Sequence, residues 1–387
     1  MNLLHRPLSY IRPLLRTLLG RQASFTRLAE VVPSGSIDTL LSEQTVPTPE
    51  TAAMEIESIN AHLQGPEYTV PRVRTALVPG LRYCTTNHCL VTPSGAVVLE
   101  STGPGARPVA LNTSALQGPT KRIEGIATPF RCFFNDFYHL LIDNLSRFDL
   151  LNLEYFRSFP SISLLCPGGL TELEAYFVKP LLPPNVTVRT VTPGVLYQPD
   201  RMLVNTFVTC RASGYLRAPF VRRIRDIHTL RDTTSSPAAR ILISRRHAAK
   251  GRHILNEEAL LERLRPLGFR AYVLEDRPIG EQIALFRRAE MVIGAHGAGL
   301  SHLLFAPRTH VLELFPTEFV VPHYFLLAKS LGHNYAYLPS SELHQDANFT
   351  VDVEKVTEHV HRLLGRTFEA GSPTTPLNSV GPFPSPV

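Results

Sequence analysis

Residues 290–306 read EMVIGAHGAGLSHLLFA. A short apolar run of strand type ends at Gly294, the glycines at 294, 297 and 299 permit a tight turn, and a helix is predicted to start near Gly299. The same unit recurs on both sides. Upstream, ARILIS (239–244) reads as a strand, followed by a basic loop and a helix from Asn256, whose side chain is placed to cap it ahead of Glu257 and Glu258. FRAYVLE (269–275) is the next strand, and PIGEQIALFRRAE (278–290) a helix with Pro278 in its first turn and Ile279, Ile283 and Phe286 on one face. Downstream come the strand THVLELF (309–315), the helix PHYFLLAKSLG (322–332), the strand NYAYL (334–338) and a closing helix over 352–364. Strands alternating with helices of this length imply parallel βαβ units, hence an α/β fold with a Rossmann-like open sheet.

Ligands of such sheets bind at the carboxyl ends of the strands, where the segment Val292–His302 falls. Glycine lets the backbone approach a ligand closely, and a helix N-terminus offers unpaired N–H groups to phosphate oxygens. The bland alternative is a glycine-rich connection without a ligand. The spacing is not G-x-G-x-x-G, which argues against NAD. His-Gly-Ala-Gly is compatible with an esterase oxyanion loop, but the chain holds no G-x-S-x-G nucleophile elbow. A second motif is SRRHAAKGRHILN (244–256), a basic loop after a strand on the same sheet edge. Its Arg245, Arg246, Lys250 and Arg252 could clamp a diphosphate through charge-assisted hydrogen bonds, or simply form a solvated basic surface. Glu313 stands in an apolar strand, where a carboxylate is costly to bury without a partner. It could accept hydrogen bonds from ribose hydroxyls or pair with an arginine. His139 and Asp143, in YHLLIDN, lie at i and i+4 on one predicted helix face. Such a pair suits general-base work on a hydroxyl, and is also a common structural pair. No D-x-D motif occurs, so no carboxylate-held metal is expected.

The rest of the 387 residues bounds the function. The length predicts two domains, and 44% hydrophobic against 19% charged residues predicts packed interiors rather than disorder. The balance of 39 Lys and Arg against 33 Asp and Glu is a mild excess of +6, short of a nucleic-acid-binding balance. Five cysteines are too sparse for a disulfide scaffold, and Cys84 and Cys89, with His88 between them, lack the second ligand pair that zinc spacing demands. Arg6, Arg12, Arg16, Arg21 and Arg27 interleave with leucines at helical spacing, which predicts a basic amphipathic segment. It would rest on an anionic membrane surface or pack as an ordinary first helix. The absence of an apolar core of signal-peptide length leads to an expectation of a cytoplasmic protein, peripheral at the inner face of the membrane. The predicted organisation is a basic arm and linker over 1–60, one domain over 61–234, a nucleotide-binding domain over 235–366, and a Pro/Ser-rich disordered tail over 367–387. Within the first domain, VTPSGAVVLE (91–100) signals a hairpin.

Several ordered blocks together carry a resemblance. ISRR…GR…ILNEEAL, LEDRPIGEQIALFRRAEMVIGAHGAGLSHLLFA and VLELFP, with YHLLIDNLSRFDLL upstream, resemble the glycosyltransferase family 61 pattern over about residues 130–345. Ser146 stands where the family block carries Pro before the retained Arg147. The resemblance implies a GT-B-like enzyme of two Rossmann-type domains facing a cleft. It implies inverting, metal-independent transfer of a sugar from a nucleoside-diphosphate sugar, UDP in the first instance, to a glycan or lipid-linked glycan hydroxyl, as in capsular or surface polysaccharide synthesis. The nucleotide sugar is then a co-substrate and no separate cofactor is expected. By position, Ser244, Arg245 and Arg252 would face the diphosphate, His296, Gly297, Ala298 and Gly299 would complete that site, and Glu313 would sit near the nucleoside. His139, oriented by Asp143, would be the base on the acceptor side. The rivals are another nucleotide-binding Rossmann enzyme of NAD type and a non-catalytic polyanion-binding protein.

Overall fold

The computed structural model describes residues 23–33, 35–48, 67–210, 213–229, 238–317 and 320–368. Most of the basic arm, the tail from 369 onward and residues 230–237, beside the predicted domain boundary, lie outside the described residues. The chain divides into two compact units. One comprises residues 1–43, 71–135 and 143–208, the other residues 44–70, 136–142 and 209–387.

The second unit contains the predicted alternation. Its strands are β1 (Ala239–Ser244), β2 (Phe269–Val273), β3 (Ala289–Ala295), β4 (His310–Phe315) and β5 (Asn334–Pro339). They form one sheet in the order β2-β1-β3-β4-β5, with every neighbouring pair parallel. Strands this apolar are stable only when both faces are covered, and helices supply the cover. Helices α1 (Glu257–Leu264) and α4 (Val353–Leu364) bring Leu260, Leu264, Val356 and Val360 against Leu242, Ile293, Leu312 and Leu314. Alternation along β4 turns Phe315 the other way, into a cluster with Phe325 and Leu326 of α3 (His323–Leu331). Helix α2 (Ile279–Phe286) joins β2 to β3. Strand order reverses between β1 and β3, because the chain leaves β1 for β2 on one side and returns to β3 on the other. Loops leaving the carboxyl ends of β1 and β3 therefore part and open a crevice.

Two local expectations are corrected here. The segment Ala298–Phe305 is a tight 3-10 helix, where an α-helix is expected. A physical reason is at hand: the His302 ring takes the Gly299 carbonyl at 2.9 Å, a carbonyl that an α-helical ladder would need. Asn256 occupies the position before α1, but its side chain makes no capping bond. Its amide instead binds the main chain of Val351 at both ends, Nδ2 donating to the carbonyl at 2.8 Å and Oδ1 accepting from the N–H at 3.0 Å.

The first unit carries a ten-stranded mixed sheet among the described residues, where the resemblance implies a Rossmann-type one. Leu196–Asn205 pairs parallel with Thr120–Pro129 and antiparallel with both Val73–Val78 and Arg82–Cys84. Local hairpins extend the antiparallel part, Arg82–Cys84 pairing with Cys89–Val91. Val91 pairs with Val97 across the predicted Pro-Ser-Gly turn, and Gly95 takes the left-handed φ of +91° that this turn requires. The stretch read as a linker also contains strands: Asp38–Leu41 pairs with Val73–Val78, and in the second unit Gln44–Pro47 pairs with Glu67–Val70. Strands that bury few side chains, such as Leu40 in the first of these, need little apolar sequence and so read as linker. The units also interleave where a single boundary near 235 is expected. Residues 209–229 join the second unit, and the Arg225 guanidinium donates to the carbonyls of Leu304 and Ala306 at 2.7 and 2.6 Å. No helix among the described residues is long and apolar enough to cross a membrane.

Candidate functional site

A cavity of about 530 Å³ opens in the second unit at the carboxyl ends of the parallel strands. That volume lies within the range that holds small organic ligands. The loop after β1 contributes Arg245, Ala248, Ala249, Lys250 and Arg252, and the turn after β3 contributes His296, Gly297 and Ala298. The reversal of strand order thus brings the basic loop and the glycine turn to the lining of one cavity. Glu275 enters from the end of β2, His323 and Tyr324 from the start of α3, and Asp136, Phe137, Tyr138 and His139 from the segment 136–142.

The backbone of the basic loop is held under strain. Gly251 has φ +63° and Arg252, which carries a side chain, φ +61°. A Cβ at Gly251 would collide with the Asp346 carbonyl oxygen, so only glycine fits there. The Arg252 N–H donates to that same carbonyl at 3.4 Å. Left-handed backbone at a residue with a side chain costs on the order of 1–3 kcal/mol and persists where the surroundings impose it, commonly at ligand sites. Arg245 reaches across to the Gly251 carbonyl, with Nη2 at 3.1 Å and Nε at 3.4 Å, and its guanidinium lies directly over Gly297. Burial, with Arg252 nearby, lowers Arg245 to about 10, and burial lowers Arg252 as well. Arg245 therefore stays charged at neutral pH. Lys250 adds a third cation, 3.9 Å from Asp136.

His296 is the buried group of the wall. Its Nδ1 shares a 2.6 Å hydrogen bond with Glu313 Oε1, and Tyr335 donates its hydroxyl to Glu313 Oε2, also at 2.6 Å. Burial first, then Arg252 and Arg245, pushes His296 down to about 3, so the imidazole is neutral. Burial raises Glu313 well above the usual carboxylate range, while Tyr335 and Arg252 oppose that rise. Behind the glycine turn, His302 is sandwiched between Phe137 at 4.7 Å and Phe286 at 4.9 Å, which ties the segment 136–142 to the turn. Tyr138 anchors the same segment by donating to the Ser213 carbonyl at 3.0 Å. Asp136 caps its start, accepting from the His139 N–H at 3.2 Å.

Of the residues expected from sequence, the structure brings Arg245, Arg252, His296, Gly297, Ala298 and His139 onto one wall, together with Lys250. The other four stand elsewhere. Ser244 donates its hydroxyl to Glu257 at 2.7 Å. Gly299 faces the interior, where a Cβ would press on Leu274 and Ile243 at 3.1 and 3.3 Å. Glu313, 0% exposed, lies behind His296 with both oxygens engaged, and is not on the lining of the cavity. Asp143, 1% exposed, belongs to the first unit, whereas His139 belongs to the second. In an α-helix His139 and Asp143 would share one face, but residues His139–Asn144 wind as a π-helical turn. Sequence reasoning missed Asp136, Phe137, Tyr138, Glu275, His323 and Tyr324. The acid closing FRAYVLE was a readable signal for Glu275, since it ends a strand neighbouring β1. Among the described residues, no group of three His, Cys, Asp or Glu side chains is placed to hold a metal ion.

Fold and site together define an α/β protein with a cationic cavity at the switch point of a parallel sheet, an arrangement suited to a phosphorylated ligand. Residues 137–312 match the family described as Glycosyltransferase 61. The match encloses His139, the basic loop and the glycine turn. Three curated relatives agree with it. A beta-1,2-xylosyltransferase of Arabidopsis thaliana is 40% identical over 81 residues, 20% of this chain and 14% of the relative. A beta-1,2-xylosyltransferase of Oryza sativa subsp. japonica is 45% identical over 64 residues, 16% and 12% respectively. An EGF domain-specific O-linked N-acetylglucosamine transferase of Drosophila melanogaster is 37% identical over 116 residues, 28% and 21% respectively. The chain thus aligns with no more than 21% of the length of these relatives.

Proposed function

We propose that this chain is a glycosyltransferase, moving a sugar from a nucleoside-diphosphate donor, UDP in the first instance, to a hydroxyl of a glycan acceptor. The observation that carries the reading is the convergence of Arg245, Arg252 and the His296–Ala298 turn at the sheet's switch point, inside the family-matched region. Breaking a sugar–phosphate bond leaves a diphosphate whose developing charge must be stabilised, and two partly buried guanidinium groups are placed to do so. Relatives named for xylose and N-acetylglucosamine transfer support the reaction class. The finer assignments form part of the same proposal: inversion at the sugar, metal independence, and surface or capsular glycan assembly at the inner face of a membrane approached through residues 1–30. So does the base. His139 lines the cavity and would take the acceptor proton, while Asp143 keeps a positioning role at most, since it lies off the lining.

The deciding experiment is hydrolysis and transfer with a panel of nucleotide sugars, alongside thermal shift with UDP and with NAD. UDP at about a hundred times its Kd should stabilise by about 2.7 kcal/mol. Stabilisation by NAD alone would favour the dehydrogenase-type rival, and anion binding that collapses with salt without turnover would favour the polyanion binder. His139→Ala should abolish transfer while UDP affinity persists, and unchanged turnover would remove the base assignment. Activity is expected to survive EDTA, and loss restored by manganese would overturn metal independence.

A further inference from the structure

Among the described residues two carboxylates line the cavity, Asp136 and Glu275, and they differ in what they already hold. Asp136 accepts from the His139 N–H at 3.2 Å and lies 3.9 Å from Lys250. Glu275 is exposed and has no hydrogen bond or ion pair among the described residues, so its capacity to accept is unspent. Glu313, expected near the nucleoside, has both oxygens taken by His296 and Tyr335. The sheet sets the place of Glu275. Val273, the last residue of β2, pairs with Ser244, the last residue of β1, and the tight turn Leu274–Asp276 follows. Glu275 therefore leaves the end of β2 beside the start of the basic loop. The two acids also flank the cations in order: Glu275 acts on the charge of Arg245, and Asp136 on that of Arg252.

We propose that Glu275 is the nucleoside-recognition residue of this cavity, its carboxylate accepting hydrogen bonds from the 2′- and 3′-hydroxyls of a ribose whose diphosphate lies on Arg245 and Arg252. The inference rests on the reading of the cavity as a nucleoside-diphosphate-sugar site, and adds to it the direction in which the donor lies. A vicinal diol presents two O–H donors that the two oxygens of one carboxylate can accept together, and hydrogen bonds to an ionised acceptor are the stronger kind. In open parallel sheets an acid at the end of the strand beside the phosphate-binding one is placed for this contact. Here β1 leads into the cationic loop, and β2 is its neighbour. A carboxylate repels the diphosphate itself, so Glu275 suits the uncharged part of the ligand next to it. With the ribose on the Glu275 flank, the transferred sugar lies on the opposite flank, beside Asp136 and His139. No bond is made or broken at Glu275.

The test compares UDP with 2′-deoxy-UDP by titration calorimetry, on the native protein and on Glu275→Ala, with inorganic pyrophosphate as the ligand that carries no ribose. Glu275 is exposed, so its truncation leaves the fold intact, and an unchanged thermal midpoint checks this. The native protein should bind UDP about 10- to 150-fold more tightly than 2′-deoxy-UDP, the loss of one hydrogen bond to a charged group. In Glu275→Ala that ratio should fall to within about twofold, while pyrophosphate binds no more weakly than to the native protein. No preference in the native protein, or a preference that survives Glu275→Ala, overturns the proposal and leaves the nucleotide site standing. Equal weakening of UDP and pyrophosphate overturns it as well, because Glu275 would then act on the basic loop and not on the ribose. Asp136→Asn should keep the native ratio, and loss of the ratio there instead would reverse the direction of the donor and refute the assignment. If pyrophosphate binds the native protein and UDP does not, the nucleoside reading fails and this proposal with it. If neither binds, the diphosphate reading fails too.

Discussion

Gly297→Ala tests the cationic wall with a single methyl group. Gly297 has φ 171° and ψ 166°, an extended conformation open to any residue, so alanine imposes no backbone strain. The added Cβ, however, would occupy the place of the Arg245 guanidinium, which must swing away. It then leaves the Gly251 carbonyl, to which it now donates at 3.1 and 3.4 Å. Those two long hydrogen bonds limit the stability cost to about 1 kcal/mol. Ligand binding should lose more, because a hydrogen bond to a charged partner contributes about 1.5–3 kcal/mol. Converted at about 1.4 kcal/mol per decade, the Kd for UDP should rise about 10- to 150-fold while the thermal midpoint barely moves. Titration calorimetry reads the first and thermal melting the second. A double-mutant cycle sharpens the outcome. Arg245→Ala alone should weaken UDP by a similar factor, and adding Gly297→Ala to it should change nothing further. UDP affinity within about twofold of native in Gly297→Ala, or losses that simply add, would refute the placement of Arg245 on the ligand.

Two other outcomes depend on the core of the same unit. His302 and His333 are held neutral by burial, at about 4 and about 3, while an unfolded chain protonates histidine near 6.5. Folded-state values below the unfolded one mean that stability is full above about pH 6.5 and falls as pH drops, by about 2 kcal/mol per histidine at about pH 5. Urea unfolding should therefore show a clearly lower midpoint at the more acidic pH, and an unchanged midpoint would show that these rings are not buried as described. Asn256→Ala removes both hydrogen bonds to Val351 and leaves a main-chain donor and acceptor unpaired, at a cost of about 1–3 kcal/mol in a urea or thermal melt. Asn256→Ser would show the same loss. A change below about 0.5 kcal/mol would mean that water replaces the amide without penalty.

What could be read in the chain was what neighbouring residues determine among themselves. Buried parallel strands must be apolar along their whole length, so ARILIS, EMVIG and VLELF announced β1, β3 and β4, and Gly-rich or basic loops between them marked the sheet edge that binds ligands. Arg245, Arg252, His296, Gly297 and Ala298 were legible on that ground, because position after a strand already assigns an edge. Only the tertiary structure decided what lies opposite what. Glu313 is a lone acid in sequence; it becomes the partner of His296 because β3 and β4 are neighbours, and of Tyr335 because β5 is next in the order. The Ser244 hydroxyl donates to Glu257, 13 residues on, a partner that its position after a strand does not encode. The segment 136–142 joins the second unit through Phe137 on His302, a contact spanning 165 positions that no local pattern encodes. Backbone periodicity and glycine placement act over a few residues and are written in the chain. Side-chain partnership depends on which distant strands pack together, and that is settled only when the sheet closes its order.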